Sequence, residues 1–368
     1  MKKLFIFPII LLLFSCESNA EVAEGIPKNR PFDEFITDFS NSTVPLEEIL
    51  SGGPSKDGIP AVDNPQFIRI EEANKTIGDS EPVIVVRYLE ETKIYPIQIL
   101  IWHEIVNDNI AGIPIAVTFC PLCNTGIVFE SRIDSLDLDF GTTGRLRYSN
   151  LIMYDRQTET WWQQATGEGI AGKFTGRSLN LIPSLFMSWI DAIERYPKAL
   201  VLSADTGWDR PYGRNPYSSY DTGSPFLFRG DNPLPTVENL NPLDRVLLVE
   251  YQNQSNYFSY KTLRKEHLIN ARLNNKKIVV FWEPGTASAL DDSIISKGRD
   301  VGTANAFLST IEGKELEFYF ENNLFKDRLS NSVWDYTGYA VSGPMKGKKL
   351  ELIAGTQHFW FSASAFFP

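Results

Sequence analysis

The chain has 368 residues, 43% of them hydrophobic, a formal net charge of −11 at pH 7, and 24 Phe, 14 Tyr and 8 Trp. That length carries a sizeable core in one large domain or about two, and the aromatic content suits a β-rich protein. No block or stripe of Lys and Arg occurs, which excludes a nucleic acid as partner.

At the N-terminus, Lys2-Lys3 precedes an apolar run from Leu4 to Phe14 that is too short to span a membrane. The run ends in Leu13-Phe-Ser-Cys16, which reads as a bacterial lipobox; an ordinary secretory signal cleaved nearby is the other reading. Residues 1–16 are therefore expected to be a lipoprotein signal peptide, and Cys16 the lipid-modified first residue of the mature chain. Residues 17–30 are polar and read as a tether. These features imply an extracytoplasmic, membrane-anchored protein, in the periplasm or on the outer membrane of a bacterium. Cys120 and Cys123 are then an even pair in an oxidising compartment, where a disulfide is available.

In chain order, the pattern predicts short helices over 31–39 and 44–50, stopped by Ser51-Gly-Gly-Pro54. A Gly- and Pro-punctuated loop follows, carrying Lys56-Asp57 between turn residues. Pro82–Leu89 and Lys93–Ile97 read as a strand pair, and Pro96–Val106 as a helix whose apolar face includes Ile97, Leu100, Ile101 and Ile105. Asn107-Asp108 then reads as the helix end or a turn. Pro114–Glu130 reads as a strand, a tight turn bearing the two thiols, and a second strand. Leu136–Phe140 alternates as a half-buried strand does, Gly141–Gly144 turns, and Leu151–Asp155 returns. Leu185–Arg195 reads as a helix, and His267 as an exposed helix residue.

Residues 203–245 are dense in turn formers and contain six Trp, Tyr or Phe, which points to an ordered cover loop. On its two sides the sequence repeats: Gly172-Lys-Phe-Thr-Gly176 recurs as Gly343-Pro-Met-Lys-Gly347, an offset of 171 that also carries Trp189 to Trp360 and Pro197 to Pro368. The expected fold is α+β and β-rich: two related lobes from an internal duplication, mostly antiparallel strands with a few short helices. The expected boundaries are 31–202 for the N-terminal segment plus the first lobe and 246–368 for the second. Where the first lobe has Cys120-Pro-Leu-Cys123, the second has Phe281-Trp-Glu-Pro-Gly285. A lobe that folds without the cysteines argues for a site rather than a general staple.

Three readings of the thiols remain open. A Cys-x-x-Cys pair exchanges with disulfides, one thiolate attacking and the other resolving. The following Asn124-Thr-Gly126 and strand do not fit a thioredoxin-like scaffold, in which the motif opens a helix. The pair also resembles half of a zinc knuckle. Completing a metal site needs His103, seventeen positions earlier (120 − 103), with Met153, Asp155, Glu104 or His358. Two thiolates with His103 and Met153 suit copper(I) better than zinc. The third reading is a structural disulfide or two quiet thiols, in a scaffold or ligand-binding lipoprotein without catalysis. No Gly-x-Ser-x-Gly elbow, P-loop or His-Glu-x-x-His occurs.

Several segments together resemble the family catalogued as domain of unknown function 3179. They are Gly53-Pro-Ser-Lys-Asp-Gly-Ile-Pro60, Tyr95-Pro-Ile-Gln-Ile-Leu100, His103-Glu-Ile-Val-Asn-Asp108, Cys120-Pro-Leu-Cys-Asn-Thr125, Met153-Tyr-Asp155, Thr158 with Trp161, and Gly172 with Gly176. Thr143-Gly144 stands where the family usually has Ser-Gly. The resemblance covers most of residues 45–368. It implies an extracytoplasmic protein and no particular activity. It groups Lys56, Asp57, His103, Asn107 and Asp108 as candidates around Cys120 and Cys123.

Overall fold

The computed structural model describes residues 32–223 and 240–367. Cys16, the apolar run before it and the tether lie outside the described residues, as do residues 224–239 of the cover loop.

Pro82–Tyr88, rich in Val and Ile, buries its first five residues and pairs antiparallel with both Glu91–Pro96 and Ser184–Ser188. A second sheet takes Asn180–Leu181, Thr125–Glu130, Ile113–Cys120 and Ile105–Ile110 in that order. A third joins Ile49–Ser51, Phe140–Arg147, Asn150–Asp155, Trp161–Gln163 and Glu168–Ala171. Among the described residues, pairing between these strands is antiparallel except where Leu200–Leu202 runs parallel to Glu91–Pro96, and a single bridge from Val62 to Val106 is also parallel. The helices are short, so the fold is α+β and β-rich, as expected.

The same order returns after the cover loop. Arg245–Tyr251 lies between Gln254–Ser259 and Ala354–Phe359, and the helix Tyr260–Glu266 follows as Ile97–His103 does. Leu268–Leu273, Lys276–Glu283, Thr303–Leu308 and Glu351–Leu352 form the counterpart of the second sheet. Individual hydrogen bonds recur too. Asn107 Nδ2 donates to the Phe140 carbonyl and its Oδ1 accepts from the Phe140 N–H, both at 2.8 Å. Asn270 does the same to Phe318, at 2.8 and 2.9 Å. Trp162 Nε1 donates to Asp155 Oδ2 at 2.9 Å, and Trp334 Nε1 to Asp327 Oδ2 at 3.0 Å. One apolar cluster draws on both halves, packing Val83, Met187 and Trp189 with Phe281, Phe307 and Trp334.

Local expectations fail where tertiary contacts outweigh helical patterning. Residues 32–39 form turns, because Phe32 and Phe35 are buried against Trp161, with ring centroids 4.6 and 5.0 Å away. Only Leu46–Glu48 is helical in the second segment, and Ile49–Ser51 joins a sheet edge. The helix from Ile97 stops at His103, since Glu104 turns left-handed with φ 60° and sends Ile105–Ile110 into a strand. Asn107 and Asp108 are therefore strand residues. Gly141–Gly144 lies inside a strand, at a bulge, and the turn comes at Tyr148-Ser149. Ser184–Ser188 is a strand, and the helix begins at Trp189 behind the Ser188 cap. His267 follows its helix in a left-handed conformation and stacks on Phe320 at 4.0 Å.

His358 ties the halves together at the thiol turn. Thr125 Oγ1 gives its one hydrogen to the Cys123 carbonyl at 3.1 Å, and accepts from His358 Nδ1 at 3.2 Å. The other ring nitrogen meets Thr356 Oγ1 at 2.9 Å. Burial lowers the His358 pKa to about 3. An unfolded histidine titrates near 6.5, so between those values the unfolded chain binds the extra proton. The contribution is complete above about pH 6.5 and is lost as pH falls, at up to about 1.4 kcal/mol per pH unit. His358→Met places there the residue type found at 187, its counterpart by the offset of 171 (358 − 187). Urea unfolding should show the variant gaining about 2 kcal/mol on the parent between pH 6.5 and pH 5. An unchanged difference would mean that His358 is not held neutral.

Candidate functional site

Ile113–Cys120 runs into a single 3-10 turn, Pro121–Cys123, and Asn124 at φ 51° turns the chain into Thr125–Glu130. Pro121 starts the turn without losing a needed donor. Both thiols are free and buried, Cys120 2% and Cys123 0% exposed, so no disulfide joins them in this structure. They lie within hydrogen-bond reach of each other. Both point at one acceptor, the Ser149 carbonyl, 3.7 Å from Cys120 Sγ and 3.3 Å from Cys123 Sγ.

That carbonyl sits on a two-residue hairpin turn, Tyr148-Ser149, with φ of 50° and 62°. Gly and Asn usually occupy such positions, and other side chains are strained there. Asn150 holds the hairpin: its Oδ1 accepts from Gln163 Nε2 at 2.7 Å and from the Ala165 N–H at 2.9 Å. Its Nδ2 donates to Gln164 Oε1 at 2.7 Å. Gln164 Nε2 in turn reaches Thr118 Oγ1 at 2.9 Å and the Thr125 carbonyl at 3.1 Å, on the two strands beside the thiol turn. A chain of buried amides thus sets the acceptor against the sulfurs.

Glu104 is the residue that the sequence ranked too low. It is 8% exposed, and its backbone is pinned at both ends: its N–H donates to Leu100 at 2.7 Å and its carbonyl accepts from Phe119 at 2.8 Å. Among the described residues its carboxyl has no hydrogen-bond or ion-pair partner. Burial, and then the proximity of Cys120, push its pKa well above the ordinary carboxylate range. Burial and the neighbouring Cys123 likewise raise the Cys120 thiol. Tyr217 of the cover loop titrates high, through burial and then the nearness of Glu104 and Cys120.

Glu104 and Tyr217, though neither thiol, line a cavity of about 200 Å³ together with Leu122, Leu151, Ile59 and Thr142. One wall is the Gly/Pro loop, which packs onto Gly144; at φ 69°, a Cβ there would overlap the Pro54 carbonyl oxygen. Arg145 stands at the cavity as well, paired with Glu34 at 2.7 Å. The cover loop closes the other side. Tyr220 donates to the Leu122 carbonyl at 3.0 Å, and the Asn215 and Ser219 amides bond Ser293 and Asp291 of the second half at 3.0 and 2.6 Å.

A family model described as protein of unknown function, DUF3179, matches residues 56–368. The chain belongs to the DUF3179 family. No curated protein and no solved structure matches it.

The segments through which this DUF3179 chain resembles its family do not all supply groups to the cavity. Lys56 pairs with Glu159 at 2.5 Å and lies over the rings of Phe35 and Tyr154, at 4.5 and 4.7 Å. Asp57 accepts from the Tyr154 hydroxyl and lies 3.9 Å from Arg156. The pair holds the loop whose Pro54 and Ile59 wall the cavity. His103 has both nitrogens engaged, Nδ1 with the Pro60 carbonyl at 2.7 Å and Nε2 with the Tyr212 hydroxyl at 2.6 Å. Asp108 accepts from Lys93 at 2.8 Å and Tyr95 at 2.6 Å, in a network of its own. Met153 is buried in the same apolar cluster as the thiols, paired in register with Thr142 and Trp162. Among the described residues no group of three or more His, Cys, Asp and Glu is arranged to hold a metal ion.

Burying an unpartnered acid costs stability in a pH-dependent way. The unfolded carboxyl ionises near 4.3 and the native one higher, so the native state keeps a proton that the unfolded state releases. The contribution is complete below about pH 4.3 and is lost as pH rises, by about 1.4 kcal/mol per pH unit until the native group ionises. Glu104→Gln should therefore be more stable than the parent at pH 7 by clearly more than at pH 4.5, by denaturant unfolding. An equal difference at both values would contradict the raised pKa.

Proposed function

We propose that Cys120 and Cys123 form a two-electron thiol–disulfide site served by Glu104, in an extracytoplasmic lipoprotein. The observation that carries this is the meeting of two adjacent free thiols with a buried, unpartnered carboxyl that lines a cavity. With a small disulfide RSSR, Glu104, once it has released its own proton to solvent, takes the Cys120 proton and the sulfur attacks one sulfur of the substrate. RS⁻ leaves, and Glu104 returns the proton to it as RSH. The Cys123 thiol then attacks Cys120 in the mixed disulfide, closing the Cys120–Cys123 bond and releasing the second RSH with its own proton. The sum is E(SH)₂ + RSSR → E(S–S) + 2 RSH. Almost complete burial of both sulfurs and a cavity of about 200 Å³ favour a low-molecular-weight disulfide over a folded protein.

Supporting this reading, Glu104 follows the logic of a general base, a carboxyl whose pKa is raised toward the working pH. A second reading rests on the same sulfur pair: two thiolates bind a soft ion such as copper(I) without further ligands. Zinc needs about four ligands, and Glu104 is the added donor that the cavity offers. We also read the two halves as copies of one unit, supported by the recurring sheets and hydrogen bonds.

The test is redox titration in glutathione buffers, counting Cys120 and Cys123 by alkylation and mass spectrometry, with copper and zinc analysed on the same sample. The two thiols should disappear together as one two-electron couple. Glu104→Gln should slow the exchange by at least about 100-fold and remove its pH dependence. Thiols that stay reduced in every buffer would end the redox reading, and stoichiometric copper lost on Cys120→Ser would install the second.

The lipid anchor is tested separately. Cys16→Ala should move the protein from the membrane fraction to the soluble extracytoplasmic fraction or leave its precursor unprocessed. Unchanged fractionation and processing would refute the anchor.

A further inference from the structure

A second cleft opens where the halves meet, at the far ends of the two strands that carry the thiol turn. Its inner chamber, about 380 Å³, is floored by Val85, Ile113, Leu181 and Leu185 from the first half and by Phe307 and Leu352 from the second. Arg87 and Lys349 stand on its wall, as does Glu130, whose carboxylate accepts from Asn180 Nδ2 at 3.1 Å. An outer chamber of about 430 Å³ shares Arg87 and Tyr196 with the inner one and adds Arg195 and Lys198, against the single carboxylate of Glu90.

Tyr339 gathers the cations. Arg87 Nη1 donates to its hydroxyl at 2.5 Å, the Arg195 guanidinium lies 3.3 Å above its ring, and the Lys349 ammonium lies 5.0 Å from it. Arg195 is paired with Asp335 at 3.6 Å. Among the described residues, Arg87, Lys198 and Lys349 have no carboxylate at ion-pair distance. Unpaired cations around an apolar chamber are a local reversal in a chain of net charge −11. The joined cavities are of ligand size and lie between the two halves, where pockets commonly form.

We propose that this cleft binds a medium-chain fatty acid. The alkyl tail occupies the inner chamber, and the carboxylate meets Arg87 and Lys349 where the chambers join. An Arg fork suits a carboxylate, and Glu130 in the inner chamber with Glu90 in the outer one favours a singly charged head over a doubly charged one. This assignment does not depend on the thiol chemistry.

The experiment is calorimetric titration of the purified chain with sodium decanoate below its micelle concentration, with decanol and decyl phosphate as comparison probes. Saturable binding of one decanoate, at least tenfold tighter than either probe, is expected. Arg87→Gln combined with Lys349→Gln should weaken decanoate at least tenfold while leaving the melting transition in place, since both side chains are exposed. No saturable binding, decanol or decyl phosphate binding as tightly as decanoate, or unchanged affinity in the double variant would each overturn the proposal. Lys349→Gln alone should weaken decanoate in the same direction, and serves if the double variant does not fold.

Discussion

The left-handed turn at Glu104 decides which groups are placed around the thiols. A buried helix, Ile97–His103, has to end and reverse into a strand within one residue, and a left-handed residue does this while still donating its N–H to Leu100. Gly or Asn is the usual choice for such a stop. Glutamate takes the conformation at a cost, and its backbone carbonyl then receives the Phe119 N–H. That bond fixes the last residues of Ile113–Cys120 against the helix end, so the carboxyl and the first sulfur are neighbours by construction. The second half uses the same joint: His267 is left-handed after its helix, and the Trp282 N–H donates to its carbonyl at 2.8 Å.

Charge is managed by neutralisation rather than pairing. A carboxyl, two thiols and the Tyr217 phenol share one low-dielectric region, and the cation nearest the cavity, Arg145, is already committed to Glu34. Each anion would raise the cost of the next, so the Glu104 carboxyl, the Cys120 thiol and the Tyr217 phenol are all shifted toward keeping their protons. A site arranged in this way gives up stability near neutral pH and keeps groups that can pass a proton between them. The same turn is made rigid by uncharged means: the Asn150–Gln164 amides, the Ser149 carbonyl and the His358–Thr125 contact. These bonds hold the backbone around the sulfurs in place, while Glu104 lines the cavity.

Much of this was legible in the sequence, in a graded way. Strands with continuous Val and Ile, such as Pro82–Tyr88, announce themselves, and the Cys-Pro-Leu-Cys hairpin turn follows from Pro and the residues after it. Two free, quiet thiols were one of the readings left open, and the described part of the cover loop, residues 203–223, is tied to the second half. Helical periodicity misled at 31–39 and 185–188, where packing on Trp161 and pairing with Pro82–Tyr88 decide the backbone. The partners of the thiols were the least visible part. A backbone carbonyl such as that of Ser149 has no side-chain signature, and Tyr217 lies 94 positions beyond Cys123 (217 − 123). Glu104 was in view beside His103, but a rare residue drew attention from a common one. The histidine spends both nitrogens on Pro60 and Tyr212, holding the loop and the cover in place.

The two halves show how one arrangement of strands and helix accepts different side chains at the same joint. Cys120 ends its strand where Glu283 ends the matching one, and Glu104 stands where His267 does. In the second half these positions have gone another way: His267 stacks on Phe320, and burial, then the nearby Asp191, raises the Glu283 pKa to about 7. Backbone hydrogen bonds carry the frame, so the side chains at the joint are free to differ. The second half instead contributes support, anchoring the cover loop through Ser293 and Asp291 and reaching the thiol turn with His358. It also supplies one wall of the apolar cleft between the halves. The cover loop lies between the halves in sequence, and its Tyr217 and Tyr220 close the cavity side of the first half while its backbone is tied to the second.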